Sequence, residues 1–143
     1  MRLPTAFSAL LLLLPAMVGP AGPASAQSVA RDAERCQKDP RFRVGGGAIG
    51  DCLLELSDAV DRRIAAALAK GEVRYPLQED REEYRRIQGD WEAYRNRMCE
   101  LVRRSPDNTP SSVSAAACRL ELGRQRLRVL RYTNEYGTPR ASR

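Results

Sequence analysis

Four cysteines, Cys36, Cys52, Cys99 and Cys118, constrain this chain more than any other feature. They follow a segment with the pattern of an export signal. Arg2 supplies a positive start, Ala9–Val18 (ALLLLLPAMV) an apolar run too short to span a bilayer, and Ala24-Ser25-Ala26 a small-residue cleavage site. Residues 1–26 therefore read as a cleaved secretory signal peptide, leaving a mature chain from Gln27. No cysteine lies near that site, which argues against a lipid anchor. An even number of cysteines in an exported chain reads as two disulfides. A zinc site fits poorly, because there is no histidine and no close C-x-x-C pair. The expected location is periplasmic or secreted, with no membrane span in the mature chain.

The formal net charge is +6, and the only lysines are Lys38 and Lys70. Arginine carries nearly all the positive charge. Export makes nucleic acid an improbable partner, so none is expected. Anionic envelope polymers or acidic patches on another exported protein suit the charge better.

Apolar periodicity places the cysteines on helices. Ser28 suits the cap of a short helix from about Val29 to Lys38, ended by Asp39-Pro40. Arg41–Gly50 contains GGGAIG and reads as a flexible connector. It lacks the preceding strand and following lysine of a phosphate-binding loop. A second helix starts near Ala48–Asp51 and runs to Lys70, with a stripe of Leu53, Leu56, Val60, Ile64, Ala67 and Leu68. Gly71 reads as its stop and Pro76 as the following turn.

The third helix, about Leu77 to Arg104, repeats Tyr84, Ile87, Trp91, Tyr94, Met98 and Leu101 at spacings of three and four. That is the pattern of a packing seam. Glu79, Asp80, Glu82 and Glu83 near its start and Arg103 and Arg104 at its end complement the helix dipole. Ser105–Thr109 is a loop. Thr109 and Pro110 suit a cap and first position of a fourth helix that reaches about Thr133. Its core positions are Val113, Ala116 or Ala117, Leu120, Leu127 and Leu130, and Arg124, Arg128 and Arg131 share an outer face. Residues 134–143 read as a disordered tail, which leaves 27–133 as the folded domain. No strand pattern competes. The expected fold is all-α: a small antiparallel three-helix bundle with a short N-terminal helix, stapled by two disulfides.

Four cysteines permit three pairings. Cys36–Cys52 with Cys99–Cys118 is favoured, because each bond closes a local loop between sequential helices. Cys52–Cys99 with Cys36–Cys118 stays open. If Cys99 pairs with Cys118, Tyr94 lies opposite Gly123, and Trp91 opposite Arg126. Gly123 then gives room to a ring, and Arg126 lays its stem along the indole.

Gln88, Trp91, Tyr94, Arg95 and Cys99 form Q-x-x-W-x-x-Y-R-x-x-x-C, and Cys118, Arg126 and Leu130 form C-x7-R-x3-L. With Cys36 and Cys52 upstream, Cys36–Leu130 resembles the LprI-type lysozyme-inhibitor domain. Gly123, where that family usually has threonine, and GGGAIG, in place of a polar helix start, depart from the pattern. The resemblance implies a secreted, disulfide-bonded helical domain that inhibits lysozyme.

Three functions compete. Catalysis lacks its usual base, since there is no histidine, and Glu82, Glu83 and Glu92 fall on a solvated helix surface. No enzyme activity and no cofactor are expected. Inhibition has a physical route: an arginine inserted into a lysozyme cleft pairs with its two catalytic carboxylates. Arg103 and Arg104, the Ser105–Thr109 loop and the Gly45–Gly50 connector are candidates. A lysozyme that is itself basic would repel such an inhibitor at long range, and the acidic Glu79–Glu83 patch offsets this. The third function is an envelope-binding or structural module that uses the Arg124, Arg128 and Arg131 face without inhibiting anything.

Overall fold

A computed structural model describes residues 24–42, 45–106 and 111–136. Four α-helices account for nearly all of them: α1 Ala24–Lys38, α2 Gly45–Glu72, α3 Gln78–Arg104 and α4 Ser111–Tyr136, with a 3-10 turn at Pro40–Phe42. There is no strand among the described residues. Most of the expected signal segment, Thr109, Pro110 and residues 137–143 lie outside them. So does most of the Ser105–Thr109 loop.

Helices α2, α3 and α4 run up, down and up. Val60 on α2 lies beside Gly123 on α4, and Asn134 near the end of α4 bonds Ala67 on α2. The two helices are therefore parallel. Helix α3 runs the other way beside them, with Cys99 bonded to Cys118 and Gln88 bonded to Arg126. Helix α1 folds back along α2 and also touches α4.

The core lies chiefly between α2 and α4. Leu53, Val60 and Ile64 interleave with Ala116, Leu120, Leu127 and Leu130, and Cys36 joins them from α1. This is the stripe expected for helices two and four. Cys36–Cys52 lies within it and ties α1 to α2, and Cys99–Cys118 ties α3 to α4.

Four boundaries differ from the sequence reading. Helix α1 begins at Ala24 rather than near Val29, so Ser28 lies inside the helix and does not cap it. The GGGAIG segment is not a connector. Its residues from Gly45 onward form the first turns of α2, where Gly50 is buried and Ile49 half-buried near the start of α4. Packing and the disulfide at Cys52 override the low helix propensity of glycine here. Gly71 does not stop α2, which continues to Glu72. A Cβ there would overlap the Tyr84 hydroxyl and come within 2.6 Å of Asn134 Oδ1, so close approach of α3 and α4 explains the glycine. Nor does order end at Thr133. Asn134 is buried, and its Nδ2 donates to the Ala67 carbonyl at 2.9 Å.

Candidate functional site

Two arrangements could carry function: a polar seam between α3 and its neighbours, and an arginine-rimmed groove between α2 and α4.

The seam differs from the expected one. Gln88, Arg95 and Cys99 form the buried face of α3, with Trp91 half-buried beside them. Ile87, Tyr94, Met98 and Leu101 face outward, Tyr94 at 48% and Leu101 at 65% exposure. The heptad is real, but the helix is turned by roughly a quarter turn from the orientation that apolarity alone selects. Arg95 explains the turn. Its Nη1 donates to Asp61 Oδ1 at 2.5 Å and its Nη2 to Asp61 Oδ2 at 3.0 Å. A bidentate pair of this kind allows a guanidinium to be buried. Its face stacks on Trp91, 4.6 Å from the ring centroid.

Gly123 makes room for Val60 on α2 rather than for Tyr94, and the Arg95–Asp61 pair lies just beyond. A Cβ at Gly123 would lie 3.2 Å from Val60 Cγ1, 3.6 Å from Arg95 Nη1 and 3.7 Å from Asp61 Oδ1. The Arg126 guanidinium also approaches the indole, 5.8 Å from the Trp91 centroid. Its Nε donates to Gln88 Oε1 at 3.0 Å, and Gln88 Nε2 donates to Glu92 at 2.9 Å. Burial lowers the Arg126 pKa. Thus two arginines lie against Trp91, Arg95 hydrogen-bonded to Asp61 and Arg126 to Gln88. The chain of contacts Asp61–Arg95–Trp91–Arg126–Gln88 joins α2, α3 and α4. Leu130, the last residue of the motif, is fully buried in the apolar core.

Most of these polar groups are occupied by one another, although the buried Nε of Arg95 has no hydrogen-bond partner among the described residues. A cleft of about 230 Å³ lies beside them, lined in part by Asp61, Trp91, Glu92 and Arg95. Among the described residues, no cluster of three or more His, Cys, Asp or Glu side chains is placed to hold a metal.

The groove lies on the other side of α2. Leu56, Ala59, Val60 and Leu127 form its floor, and Arg63, Arg124, Arg128 and Arg131 its rim, around a volume of about 280 Å³. The four arginines are not equivalent. Arg124 turns inward, its Nη1 2.5 Å from Oδ2 of the buried Asp32 on α1. It is a structural tie between α4 and α1 rather than part of a free outer face, because an aspartate buried at that place requires a counter-charge. Arg128 sits 3.7 Å from Glu121, a long contact between an exposed arginine and a partly buried carboxylate. Arg63 and Arg131 are exposed and have no carboxylate partner among the described residues.

Arg103 and Arg104 are elsewhere and already engaged. Both bind Glu100, at 2.7 and 2.8 Å, and hold its carboxyl down to about 2. Both lie away from the groove, at the end of α3, in exposed contacts. The sequence reading missed Asp32, Asp61 and Arg63. Asp32 shares the Cys36 face of α1, one turn away. Arg63 falls on the same side of α2 as Leu56 and Val60. Those spacings were available signals; the partner of Asp61 was not.

The model of the family described as lysozyme inhibitor LprI matches residues 45–130. The chain belongs to the LprI family. The LprI match begins with the glycines of α2 and ends at Leu130, so it contains the polar seam, three of the four cysteines and every arginine of the groove except Arg131. Helix α1 and Cys36 fall outside it. No characterised protein and no solved structure matches the chain.

Proposed function

We propose that this LprI-family chain is an exported, non-enzymatic protein that binds lysozyme and blocks it through the arginine-rimmed groove between α2 and α4. Export would remove residues 1–26. The two disulfides favour an oxidising compartment, the periplasm or the exterior. No helix among the described residues is long and apolar enough to cross a membrane.

One observation carries the assignment of the surface. Arg63 and Arg131 stand at a groove with an apolar floor and lack carboxylate partners among the described residues. A guanidinium matches a carboxylate in planar, bidentate geometry. A lysozyme cleft offers two catalytic carboxylates that remain reachable only while substrate is absent. Arginines placed there occupy the position of the sugar and exclude it. The polar seam supports the groove rather than competing with it, because its charged groups are already paired.

A second reading keeps the same groove but gives it a phosphate-bearing envelope polymer. Isothermal titration separates the two. The oxidised protein should bind lysozyme with one-to-one stoichiometry, and polyphosphate used as a probe should bind weakly and lose that binding as salt rises. Tight polyphosphate binding without lysozyme binding would favour the second reading.

A further inference from the structure

The outer side of α3 has a pattern that the domain itself does not use. Ile87, Tyr94 and Leu101 recur every seven residues, with Met98 beside them, and all four are exposed. Their neighbours Gln88, Arg95 and Cys99 face inward. A heptad of large apolar side chains on the solvent side of a helix is the seam of a helix pair.

Along one edge of this stripe runs a second seven-residue repeat, Glu83, Asp90, Arg97 and Arg104. Two acids are followed by two bases. Read in the opposite direction, the order of charge is inverted. A second copy of α3 laid antiparallel across Tyr94 therefore places Ile87 against Leu101 of that copy. The same register brings Glu83 to its Arg104 and Asp90 to its Arg97. A parallel arrangement would instead set like charges together at every step. The row is complementary to itself, in one direction only.

The charged side chains are available for this. Asp90 has no partner among the described residues, and Arg97 donates only to the Ala93 carbonyl of its own helix. Glu83 pairs with Arg86, and Arg104 with Glu100, in exposed contacts. Such contacts contribute little and exchange readily.

We propose that two copies of this chain associate through the outer face of α3, helix against helix in antiparallel register. The contact is one helix wide. It falls toward the small end of specific interfaces, below about 1,200 Å², so association is weak and depends on concentration.

Sedimentation of the oxidised protein over a wide concentration range tests this. The mass should rise from monomer toward dimer. Tyr94→Glu and Ile87→Glu should each hold the protein monomeric, with helical circular dichroism unchanged because both side chains are exposed. Asp90→Arg alone should weaken association roughly tenfold or more by setting it against Arg97. Asp90→Arg combined with Arg97→Asp should restore it. Four results would overturn the proposal: a monomer at every concentration, a dimer untouched by Tyr94→Glu and Ile87→Glu, failure of the double exchange to restore association, or loss of lysozyme binding in Tyr94→Glu from a protein that never self-associates.

Discussion

The guanidinium of Arg95 on α3 meets the carboxylate of Asp61 on α2 through two hydrogen bonds, and the two ends of the pair are not equally buried. The Arg95 side chain is 7% exposed, the Asp61 side chain 33%. Removing one partner therefore has unequal effects. Asp61→Ala leaves a buried arginine charge without its counter-ion. Arg95→Met leaves an aspartate that water already reaches. Asp61→Ala should cost about 2–3 kcal/mol of folding stability, and Arg95→Met clearly less. Trp91→Ala, which removes the ring that both Arg95 and Arg126 approach, should cost about 2 kcal/mol, below the range for a fully buried aromatic. Denaturant unfolding of the three variants measures the order.

Gly71 offers a sharper test of packing. Alanine is favoured over glycine inside a helix by about 1 kcal/mol. Here the added methyl meets the Tyr84 hydroxyl and Asn134. Gly71→Ala should therefore lower the thermal midpoint despite the gain in propensity. Tyr84→Phe removes the oxygen that the methyl meets. The double variant should recover part of the loss, so the two changes should not be additive in a double-mutant cycle.

Glu100 sets an acid limit. Hydrogen bonds from Arg103 and then Arg104 lower its pKa from 4.5 to about 2. The folded-state value is depressed, so its contribution is complete above pH 4.5 and disappears as pH falls through about 2. Glu72, held down by Arg85, acts in the same direction. Both carboxyls are exposed, so salt should reduce the effect. Thermal midpoints of the parent and Glu100→Gln should differ at neutral pH and converge toward pH 2.

The arginines of the groove should divide into two kinds. Arg124→Ala leaves the buried Asp32 only the distant, exposed Arg35, 3.8 Å away, and should lower stability by about 1–3 kcal/mol. Arg128→Glu with Arg131→Glu changes only exposed groups and should leave the melting temperature nearly unchanged. The contrast within one face, read by calorimetry, separates the tie from the binding surface.

Much of this architecture was legible in the sequence. The stripe from Leu53 to Leu68 and the positions Ala116, Leu120, Leu127 and Leu130 mark core faces, and the cysteine spacing favours local pairing. The face of α3 was not legible. Periodicity ranks side chains by apolarity, so it turns Tyr94 and Leu101 inward. It does not register that Arg95 has a bidentate partner on another helix, which reverses the cost of burying it. Gly71 was misread because glycine in a sequence signals a break, while a glycine required for close approach of two helices gives the same local signal. GGGAIG was misread because glycine propensity argues against a helix that packing and the disulfide at Cys52 carry through. Arg124, Arg128 and Arg131 share one spacing, and only the three-dimensional position of Asp32 distinguishes the first from the others.

In the proposed function, the α2–α4 groove blocks lysozyme. Lysozyme-driven lysis of cell walls, followed by turbidity as purified oxidised protein is added, tests it most directly. The parent should slow lysis in a saturable manner. Arg63→Glu, Arg128→Glu and Arg131→Glu combined should abolish that inhibition while melting like the parent. A parent protein that leaves lysis unchanged, or a folded triple variant that inhibits as well as the parent, would contradict the account.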